Sequence, residues 1–384
     1  MKTMGGQTVK LGIAGCGSGV IMYGPALRFL EKAKIVAWAD PIVEKAQGAS
    51  RRYGGQAFAD YDAFLGHPEL DAVIIVTPPW LHLEQAQKAA AAGKHVLCEK
   101  PMARTVEECD AMIRTLGSAK KILMIGFMKR FSPYFRQVKE LIEAGEVGEI
   151  LEIKSDWSWP QYALEPWRDK RINLGGLFLD HGSHTIDLAR WWAGEVTSVS
   201  AQVRIHLVGR EVEDYAQAVY RHVSGCVSTH YNSRLTHRPL RESYTIEGSK
   251  ATLVLECLGK WSYTAIDAFT LRKYTNGRVV DITPTPGVQV NPEDHFEQQY
   301  MYRASLGYFL DCVQANREPE YCTGVDGRAA IEAINAAYLA ADENRVVNLP
   351  LKDPYDPEAI FNRLVDKSSI LPTEKVWPPP DRAV

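Results

Sequence analysis

The 384-residue sequence contains no apolar run that is long enough to cross a membrane. Its densest apolar stretch is AVIIV at 72–76, far short of the roughly 20 residues that a membrane-spanning helix needs. The opening segment, MKTMGGQTVK, lacks the apolar core of a signal peptide. We therefore expect a protein that neither spans a membrane nor is exported.

The sequence also lacks an excess of either charge. Its 44 lysines and arginines nearly balance 47 aspartates and glutamates, which leaves a net charge of −3, and no block of like charges occurs. Proteins that bind polyanions usually carry a basic excess or a basic segment. We therefore expect no nucleic-acid partner.

Paired cysteines are missing as well. The seven cysteines are odd in number and scattered along the chain, and no two of them form a C-x-x-C pair. Disulfide frameworks belong to oxidising compartments and show regular, even sets of cysteines. We interpret the cysteines as reduced, mostly buried thiols of a cytoplasmic protein.

Between residues 9 and 124, short apolar runs alternate with amphipathic stretches. The runs include VKLGIAG, IVAWAD, AVIIVTPP and HVLCEKP. This alternation is typical of βαβ units, in which helices cover both faces of a parallel sheet. We predict that residues 1–125 form one such domain.

After residue 125 the pattern changes to long segments in which apolar and polar residues alternate, such as VTSVSAQVRIHLV and SYTIEGSKATLVLEC. They predict a large, mainly antiparallel sheet, with helices at about 180–193, 295–316 and 326–343. The chain is thus predicted to be an α/β protein whose second domain covers 126–350. The proline-rich extension, 351–384, is expected to run extended over the surface or over a neighbouring subunit.

A glycine turn follows the first predicted strand. The strand VKLGIAG leads directly into this turn and then into a helix, through Gly15, Cys16, Gly17, Ser18, Gly19 and Val20. Such a turn lets backbone N–H groups and the positive end of a helix approach a pyrophosphate. It predicts a dinucleotide site, with an ordinary structural turn as the alternative. Because the dinucleotide fingerprint expects its third glycine where Val20 stands, we expect looser packing of the helix on the strand.

Asp40 ends the second predicted strand, 21 residues after Gly19. A carboxylate at this place can accept hydrogen bonds from both ribose hydroxyls of NAD, and its charge repels the 2′-phosphate of NADP. The alternative is an aspartate that only forms a turn ahead of Pro41. The cofactor predicted from this position is NAD.

Two further motifs follow in the sequence: E-K-P at 99–101 and DHGSHTID at 180–187. Smaller pieces lie around them, namely T-P-P at 77–79 with His82, GFMKRFSP at 126–133 and PWR at 166–168. With these motifs in this order, the chain resembles the Gfo/Idh/MocA family of sugar and inositol oxidoreductases over about residues 9–345.

The resemblance implies an N-terminal Rossmann domain, a C-terminal α/β domain with a large open sheet, and a substrate pocket between them over the nicotinamide. It implies that Lys100, Asp180 and His184 form the catalytic set. It also implies a cis peptide bond before Pro101. Because the open sheet often makes oligomer contacts in this family, a homo-oligomer, either a dimer or a tetramer, is expected.

The D-x-x-x-H motif has a chemical interpretation of its own. Asp180, His184 and Asp187 are four and three residues apart, so they share one face of an α-helix. Since unperturbed histidine titrates near pH ~6.5, we predict that His184 is the general base of alcohol oxidation. The alternative is an exposed Asp/His pair that only supports the helix. His181 lies about 100° around an α-helix from Asp180, so we expect no metal site.

Lys100 ends a predicted strand at its carboxyl end, where ligands of open α/β sheets bind. We expect its ammonium group to stabilise charge on the substrate oxygen, and Glu99 to position the nicotinamide ribose. The residues expected to wall the cofactor, with core packing or helix capping as the alternative, are Thr77, Pro78, Pro79 and His82.

Aromatic and cationic side chains are the candidates for substrate binding. Trp157 and Trp159 face the same way in a predicted strand, and Trp167 follows them. Indole rings suit the C–H faces of sugars, and an aromatic core stripe is an equal alternative. Arg130 and Arg168, with Lys170 and Arg171 nearby, leave open whether the substrate is neutral or anionic.

These residues predict an NAD-dependent dehydrogenase that oxidises a ring hydroxyl of a sugar, glycoside or cyclitol, with Asp180 orienting the substrate or His184. The alternative is a glycoside-cleaving enzyme that works through a transient keto-sugar by oxidation, elimination, hydration and re-reduction. A non-catalytic NAD sensor is disfavoured because Lys100, Asp180 and His184 are all present.

Overall fold

The computed structural model describes residues 8–27, 30–160, 166–206, 210–259, 269–284, 298–352 and 355–366. The chain forms two compact units. The first unit contains the chain up to Arg136 and a later segment that ends at Ile331. The second unit begins at Gln137 and also takes in the chain from Glu332 onward.

The first unit contains a six-stranded, wholly parallel sheet with the strand order β3-β2-β1-β4-β5-β6. Its strands are β1 (Val9–Ala14), β2 (Ala33–Ala39), β3 (Gln56–Phe58), β4 (Ala72–Ile75), β5 (His95–Cys98) and β6 (Leu123–Ile125). The connecting helices are α1 (Ser18–Leu27), α2 (Val43–Tyr53), α3 (Tyr61–Leu65), α4 (His82–Ala91) and α5 (Val106–Ser118). This strand order is that of the Rossmann fold, in which ligands bind at the carboxyl ends of the strands.

The second unit contains a nine-stranded mixed sheet in which only the pairing of β7 with β10 is parallel. Its strands are β7 (Ile150–Ser158), β8 (Val196–Arg204), β9 (Tyr215–His222), β10 (Val227–Ser233), β11 (Arg241–Gly248), β12 (Thr252–Leu258), β13 (Thr270–Thr275), β14 (Arg278–Asp281) and β15 (Val347–Asn348). The order is β14-β13-β12-β11-β7-β10-β9-β8-β15. The predicted α/β architecture with a mainly antiparallel second sheet is confirmed.

The remaining helices are α6 (Pro133–Glu143), α7 (Ser183–Ala193), α8 (Gln298–Ala315), α9 (Gly324–Glu343) and α10 (Pro357–Asp366). Helix α7 packs on β7 and β10. Alternate residues of these two strands are buried beneath it, as the strand period of two requires. One face of the nine-stranded sheet is therefore covered by the helix that carries part of the D-x-x-x-H motif.

The compact units do not follow the predicted boundary at residue 125. Helix α8, which was expected in the second domain, packs against α1 in the first unit. The Tyr23 and Tyr302 rings meet edge to face there, with 5.1 Å between their centres. The difference arises because α8 buries its apolar side chains against a helix that is almost 300 residues earlier in the chain, which no local pattern reveals.

The described part of the C-terminal segment, up to residue 366, contains a helix rather than the predicted extended chain. Helix α10 begins after Asp356, whose carboxylate accepts a hydrogen bond from the Ala359 N–H at 3.0 Å. Ile360, Phe361 and Leu364 are buried on one face of this helix. The prolines of this region predicted an extended chain, although the apolar residues within it have the spacing of a helix. Residues 367–384, with the WPPPDRAV segment, lie outside the described residues.

Among the described residues, no helix combines the length and the apolar character needed to cross a bilayer. All seven cysteines are free thiols and are buried. Burial raises the pKa of the Cys16 thiol, next to the glycine turn, to about 12. This thiol is therefore protonated and unreactive near neutral pH.

Candidate active site

The glycine turn lies at the carboxyl end of β1. Gly15 has a φ of +100°, and a Cβ atom at this position would lie 2.5 Å from the carbonyl oxygen of Val76. Only glycine fits both this backbone conformation and this close approach. Gly17 is exposed at the start of α1, so the turn presents backbone to the solvent at the amino end of a helix.

Gly19 corrects the expectation of loose packing that Val20 had raised. A Cβ atom on Gly19 would lie 3.1 Å from Cβ of Val76, so this glycine already gives close contact between α1 and the chain after β4. Val20 is half-buried one place further on. The Ser18 backbone begins α1, while its side chain lies outside the part of the chain that the structure describes.

Asp40 connects the ends of β1 and β2. Its Oδ2 accepts a hydrogen bond from the Cys16 N–H at 2.9 Å, and its Oδ1 accepts one from the Ile42 N–H at 2.9 Å. The bond to Ile42 shows that Asp40 forms the turn ahead of Pro41, which was the alternative to cofactor binding. The bond to Cys16 places the carboxylate against the glycine turn. Since each carboxylate oxygen has two lone pairs, one on each oxygen remains for a ligand hydroxyl. The turn and Asp40 together fit a dinucleotide.

His82, which was expected to wall the cofactor, is buried and surrounded by backbone carbonyls, as in the core-packing alternative. Its Nε2 lies 2.7 Å from the carbonyl oxygen of Thr77, and its Nδ1 lies 3.1 Å from that of Pro101. Burial lowers the pKa of His82. The ring therefore braces the loop after β4 against the loop after β5. Pro79 is also buried, whereas Thr77 and Pro78 are half-buried at the end of β4.

Lys100 follows β5 directly and is half-buried. The peptide bond between Lys100 and Pro101 is cis, which confirms the expectation drawn from the resemblance. Glu99 is buried, and its carboxylate accepts hydrogen bonds from the Tyr23 hydroxyl at 2.7 Å and from the Lys100 N–H at 3.1 Å. A side chain on Gly126 would collide with this carboxylate. Glu99 is thus fixed between α1 and the backbone that carries Lys100.

In the second unit, the D-x-x-x-H motif begins in a π-helical segment, Phe178–Gly182, that runs into α7. Asp180 belongs to this segment, and its Oδ2 accepts a hydrogen bond from Arg168 Nη1 at 2.5 Å. Both side chains keep some exposure, 15% for Asp180 and 26% for Arg168. Short π-helical turns are frequent at functional sites. Arg168 therefore holds a partly accessible carboxylate.

The π-helical segment changes the predicted position of His181. With more residues per turn than an α-helix, it brings His181 against the indoles of Trp157 and Trp159, at ring-centre distances of 4.5 and 4.4 Å. His184 lies on the same side, 6.0 Å from the Trp157 ring, and is 1% exposed. Asp180, His181 and His184 are thus gathered around two tryptophans.

The tryptophans themselves match the core alternative. Trp157 is 1% exposed and Trp159 is fully buried, so neither indole offers a face to a sugar in this structure. They are buried because they lie on the face of β7 that α7 covers. The backbone of Trp167 lies in a short 3₁₀ turn, and its side chain is outside the described residues.

Arg130 also differs from the expectation. It lies in the first unit, is buried, and its Nη2 donates to Asp326 Oδ1 at 3.1 Å. Lys170 donates to Glu211 at 2.6 Å, and Arg171 donates to Asn362 at 2.8 Å. Arg130, Lys170 and Arg171, which were candidates for substrate binding, thus hydrogen-bond to other protein side chains in this structure.

Two arginines that the sequence analysis missed lie beside the tryptophans. Arg210 and Arg234 both donate to Asp169 Oδ1, at 2.6 and 2.8 Å, and Arg234 lies over the Trp159 ring. Burial, with a smaller contribution from Arg210, lowers the pKa of Arg234. A signal was present in β10, where Ser228, His230 and Asn232 are polar although they are buried on the covered face. Arg234 continues this inward polar series.

Within each unit, then, the structure brings part of the predicted site together. The first unit holds the glycine turn, Asp40 and Lys100, and the second holds Asp180 and His184. Among the described residues, no group of three or more histidine, cysteine, aspartate or glutamate side chains is arranged to hold a metal ion.

Comparison with known proteins places this geometry in a family. A sequence model described as "Oxidoreductase family, NAD-binding Rossmann fold" matches residues 9–127, and one for the GFO/IDH/MocA C-terminal domain matches residues 135–254. The "Uncharacterized oxidoreductase YrbE" of Bacillus subtilis is 35% identical over 291 residues, which cover 73% of this chain and 78% of that protein. The chain belongs to the Gfo/Idh/MocA family of oxidoreductases.

Other Gfo/Idh/MocA relatives match over almost the whole chain. An inositol 2-dehydrogenase of Rhizobium meliloti is 27% identical over 349 residues, 89% of this chain and 100% of that protein. The crystal structure of an aldose-aldose oxidoreductase from Caulobacter crescentus, complexed with glycerol, superposes with a TM-score of 0.78 at 27% identity and covers 89% of this chain and 100% of that one. This Gfo/Idh/MocA chain is an NAD-binding oxidoreductase.

Proposed function

We propose that the protein is an NAD-dependent dehydrogenase that oxidises a ring hydroxyl of a sugar, glycoside or cyclitol. The observation that carries this proposal is the full-length similarity to an inositol 2-dehydrogenase in a chain that has the glycine turn, Lys100 and the Asp180–His184 pair. Oxidation of a ring alcohol requires loss of a hydride, loss of the hydroxyl proton and stabilisation of charge on oxygen.

The groups that would hold NAD lie at the carboxyl ends of β1 and β2. The turn from Gly15 and the amino end of α1 offer N–H groups to the pyrophosphate. Asp40 accepts one backbone bond on each oxygen and keeps a second lone pair on each for the ribose hydroxyls. The same carboxylate repels a 2′-phosphate, which favours NAD over NADP. Bound at this place, NAD supplies the hydride acceptor.

The remaining steps fall to three side chains. The His184 imidazole takes the hydroxyl proton, because a neutral imidazole nitrogen can accept a proton. The Lys100 ammonium group donates to the same oxygen and stabilises the negative charge that develops there. Asp180 orients the substrate or His184, with its own carboxylate held by Arg168.

We also infer that Arg168 and Lys170 do not recruit an anionic group of the substrate. Arg168 pairs with Asp180, Lys170 pairs with Glu211, and each of these cations is therefore already compensated by an adjacent carboxylate. A compensated charge attracts an anion weakly. Neutral sugars and cyclitols, rather than carboxylated or phosphorylated ones, fit this charge distribution.

We further propose that two or four copies assemble through the nine-stranded sheet in the cytoplasm. On the face of the sheet away from α7, Lys154, Gln217, Val219 and Arg221 are exposed. This long sheet face mixes apolar and polar residues, as the contact surfaces of oligomers do. The seven free, buried thiols support a reducing compartment.

The test is a panel of sugars, inositols and glycosides incubated with NAD or NADP, with NADH and products followed together. Turnover with NAD on neutral ring alcohols, and little on uronic acids or sugar phosphates, is expected. Lys100→Ala and His184→Ala should each lower kcat/KM by at least about 100-fold, the usual size of general acid–base effects. Lys34→Ala, an exposed lysine at the opposite end of the sheet, should behave as wild type. Full activity in either site variant would contradict the assignment.

The same panel distinguishes the glycoside-cleaving alternative. Release of free sugar from a glycoside without accumulation of NADH would identify the redox-neutral route. Stoichiometric formation of NADH and of a keto product identifies the dehydrogenase. Full-length similarity to an inositol 2-dehydrogenase favours the second outcome.

A further inference from the structure

We propose that Glu213 is a positioning residue that fixes the start of the helix carrying Asp180 and His184. The proposal rests on the function proposed above, since it assigns Glu213 a role through those two side chains. Glu213 is fully buried, just before β9, and it lies 33 residues after Asp180 in the sequence. No sequence motif marks it.

The Glu213 carboxylate accepts hydrogen bonds from three groups. The Gly176 N–H donates to both oxygens, at 2.9 and 2.8 Å, the Phe178 N–H donates to Oε1 at 2.8 Å, and the Tyr338 hydroxyl donates to Oε1 at 2.8 Å. Burial raises the pKa of Glu213, whereas these donors favour its charged form. The carboxylate thus acts as an N-cap supplied from another part of the chain.

The two glycines before the helix leave the space that Glu213 needs to reach the backbone at 176–178. A Cβ atom on Gly176 would lie 2.6 Å from Val212 Cγ2 and 2.9 Å from the Glu213 carbonyl oxygen. A Cβ atom on Gly175 would lie 2.7 Å from the Tyr338 hydroxyl oxygen. The double glycine therefore lets the chain at 175–176 lie directly against Glu213 and its tyrosine partner.

The Glu213 hydrogen bonds affect the predicted catalytic residues because Phe178 and Asp180 are only two residues apart. Phe178 begins the π-helical segment, and Asp180 stands two residues later, with its N–H bonded to the Gly176 carbonyl at 2.9 Å. A π-helical turn departs from ideal helix geometry and persists where the surroundings hold it. A negative carboxylate at the amino end of a helix also interacts favourably with the helix dipole. Glu213 therefore sets the direction in which Asp180, and after it His184, leaves the turn.

The first test is Glu213→Gln, which keeps the size of the side chain but replaces one acceptor oxygen with a donor. We expect kcat to fall about 100-fold, the effect of a misplacement of roughly 1 Å, while KM for NAD stays within about twofold of wild type. Glu332→Gln is the matched control, because Glu332 is a buried glutamate of the same unit that accepts the Leu351 N–H at 3.0 Å. This control should lose stability without a change in kcat.

Tyr338→Phe serves if Glu213→Gln fails to fold, since it removes one donor and keeps the carboxylate. We expect a fall in kcat of about threefold with KM for NAD unchanged, because one hydrogen bond of several is lost. Unchanged kcat in this variant would overturn the proposal. A merely structural role would lower the melting temperature and leave both kcat and its pH profile as in wild type.

A double-mutant cycle shows whether Glu213 acts through His184. If it does, Glu213→Gln should cost less than about threefold in the His184→Ala background, although it costs about 100-fold alone. Equal costs in both backgrounds would contradict the proposal.

Hydrogen exchange gives a readout that needs no activity. Amides of the segment 174–184 should exchange at least tenfold faster in Glu213→Gln than in wild type, with β1–β6 unaffected; unchanged exchange would overturn the positioning role. If the wild type is inactive, or if His184→Ala is unimpaired, the proposed function fails. Hydrogen exchange alone then shows whether Glu213 fixes the segment 174–184. An active wild type with impaired His184→Ala and unimpaired Glu213→Gln is failure of this proposal.

Discussion

At the scale of single residues, Asp40 forms two backbone hydrogen bonds and is also the residue proposed to bind the ribose. Its two backbone hydrogen bonds hold the glycine turn against the end of β2, and a second lone pair remains on each oxygen for the proposed bonds to the ribose. Either interpretation alone would have been incomplete. In the proposed function, the charge that favours NAD is thus the same charge that orders the turn.

Asp40→Asn should weaken NAD binding and relax the choice between cofactors. An amide can accept on one atom only, so one backbone bond and one ribose bond are lost, and the repulsion of a 2′-phosphate disappears. We expect KM for NAD to rise about tenfold and the ratio of NAD to NADP efficiency to fall at least tenfold. Steady-state kinetics with both cofactors measure this. Asp62→Asn, an exposed aspartate of the same unit, should leave the ratio unchanged.

A chain of buried side chains connects α7 to the sheet. His222 Nδ1 lies 2.7 Å from the Gly194 carbonyl and therefore carries the proton. Its Nε2 then accepts from the Ser228 hydroxyl, and Ser228 accepts from His230 Nε2. His230 Nδ1 lies 2.9 Å from the Thr185 hydroxyl, next to His184. Nδ1 of His230 also lies 3.0 Å from the Ser155 hydroxyl, so two neutral histidines satisfy this network, with Ser155 donating to Nδ1.

This network predicts acid sensitivity. Burial lowers the pKa of His230 to about 3, with a smaller contribution from His222, whose own pKa burial also lowers. Both take up a proton on unfolding below the ordinary histidine pKa of ~6.5, so their stabilising effect is present above pH 6.5 and is lost as the pH falls below it, for His230 down to about pH 3. Between pH 7 and pH 5 the protonation of His230 on unfolding should cost about 2 kcal/mol of unfolding free energy, and His222 acts in the same direction.

Urea unfolding at pH 7, 6 and 5 measures this loss. His230→Gln should lose about 2 kcal/mol less than wild type over that range, because one titrating group is gone. His67→Gln, outside the network, should keep the wild-type dependence on pH. Equal pH dependence in His230→Gln and wild type would show that His230 does not stay neutral in the folded protein.

At the scale of elements, the predicted site residues of each unit depend on the way in which a helix begins. Helix α1 begins at a turn that glycine permits, and α7 begins through a π-helical segment that Glu213 holds. The first could be predicted, because a glycine pattern between strand and helix is local. The second could not, because the group that holds it comes from before β9.

Gly15→Ala should abolish the dinucleotide turn. The φ of +100° is unfavourable for alanine, and the added methyl group would collide with the backbone at Val76. We expect NADH affinity to fall at least tenfold, since strain of this kind amounts to about 1–3 kcal/mol. Fluorescence titration measures it. Gly117→Ala in α5, where a Cβ atom meets nothing within 4 Å, should bind NADH normally and raise stability by up to about 1 kcal/mol.

At the scale of the whole molecule, the nine-stranded sheet leaves one face without a covering helix among the described residues. Its exposed side chains include Val219 and Gln217 on β9 and Lys154 on β7. A sheet of this size with one uncovered face is a natural site for assembly with a second copy. The proposed dimer or tetramer follows from this surface.

Val219→Arg should shift the protein to a smaller species. Each copy would carry a further positive charge on the shared face, and these charges repel when two identical faces meet about a twofold axis. Sedimentation velocity should show a dimer or tetramer for the wild type and a smaller assembly for the variant. Val325→Arg, at a more exposed valine of the first unit, should sediment as wild type. A monomeric wild type at assay concentration would refute the assembly.

The sequence by itself determined the fold class, the dinucleotide turn and the identity of the residues in the motifs. These features are read from strand and helix periods, from glycines at a turn and from the order of short motifs, all of which are local. The positions of Gly15, Asp40 and Lys100 at the ends of parallel strands follow from the same patterns.

Only the tertiary structure decided what the side chains contact. Arg130 was expected at the substrate and instead pairs with Asp326, 196 residues away, and Trp157 is buried against His181 because α7 covers its strand. Glu213 reaches Gly176 across 37 residues. The local sequence of one segment does not indicate which distant segment it will contact, because hydrogen bonds and burial depend on distance in space rather than along the chain.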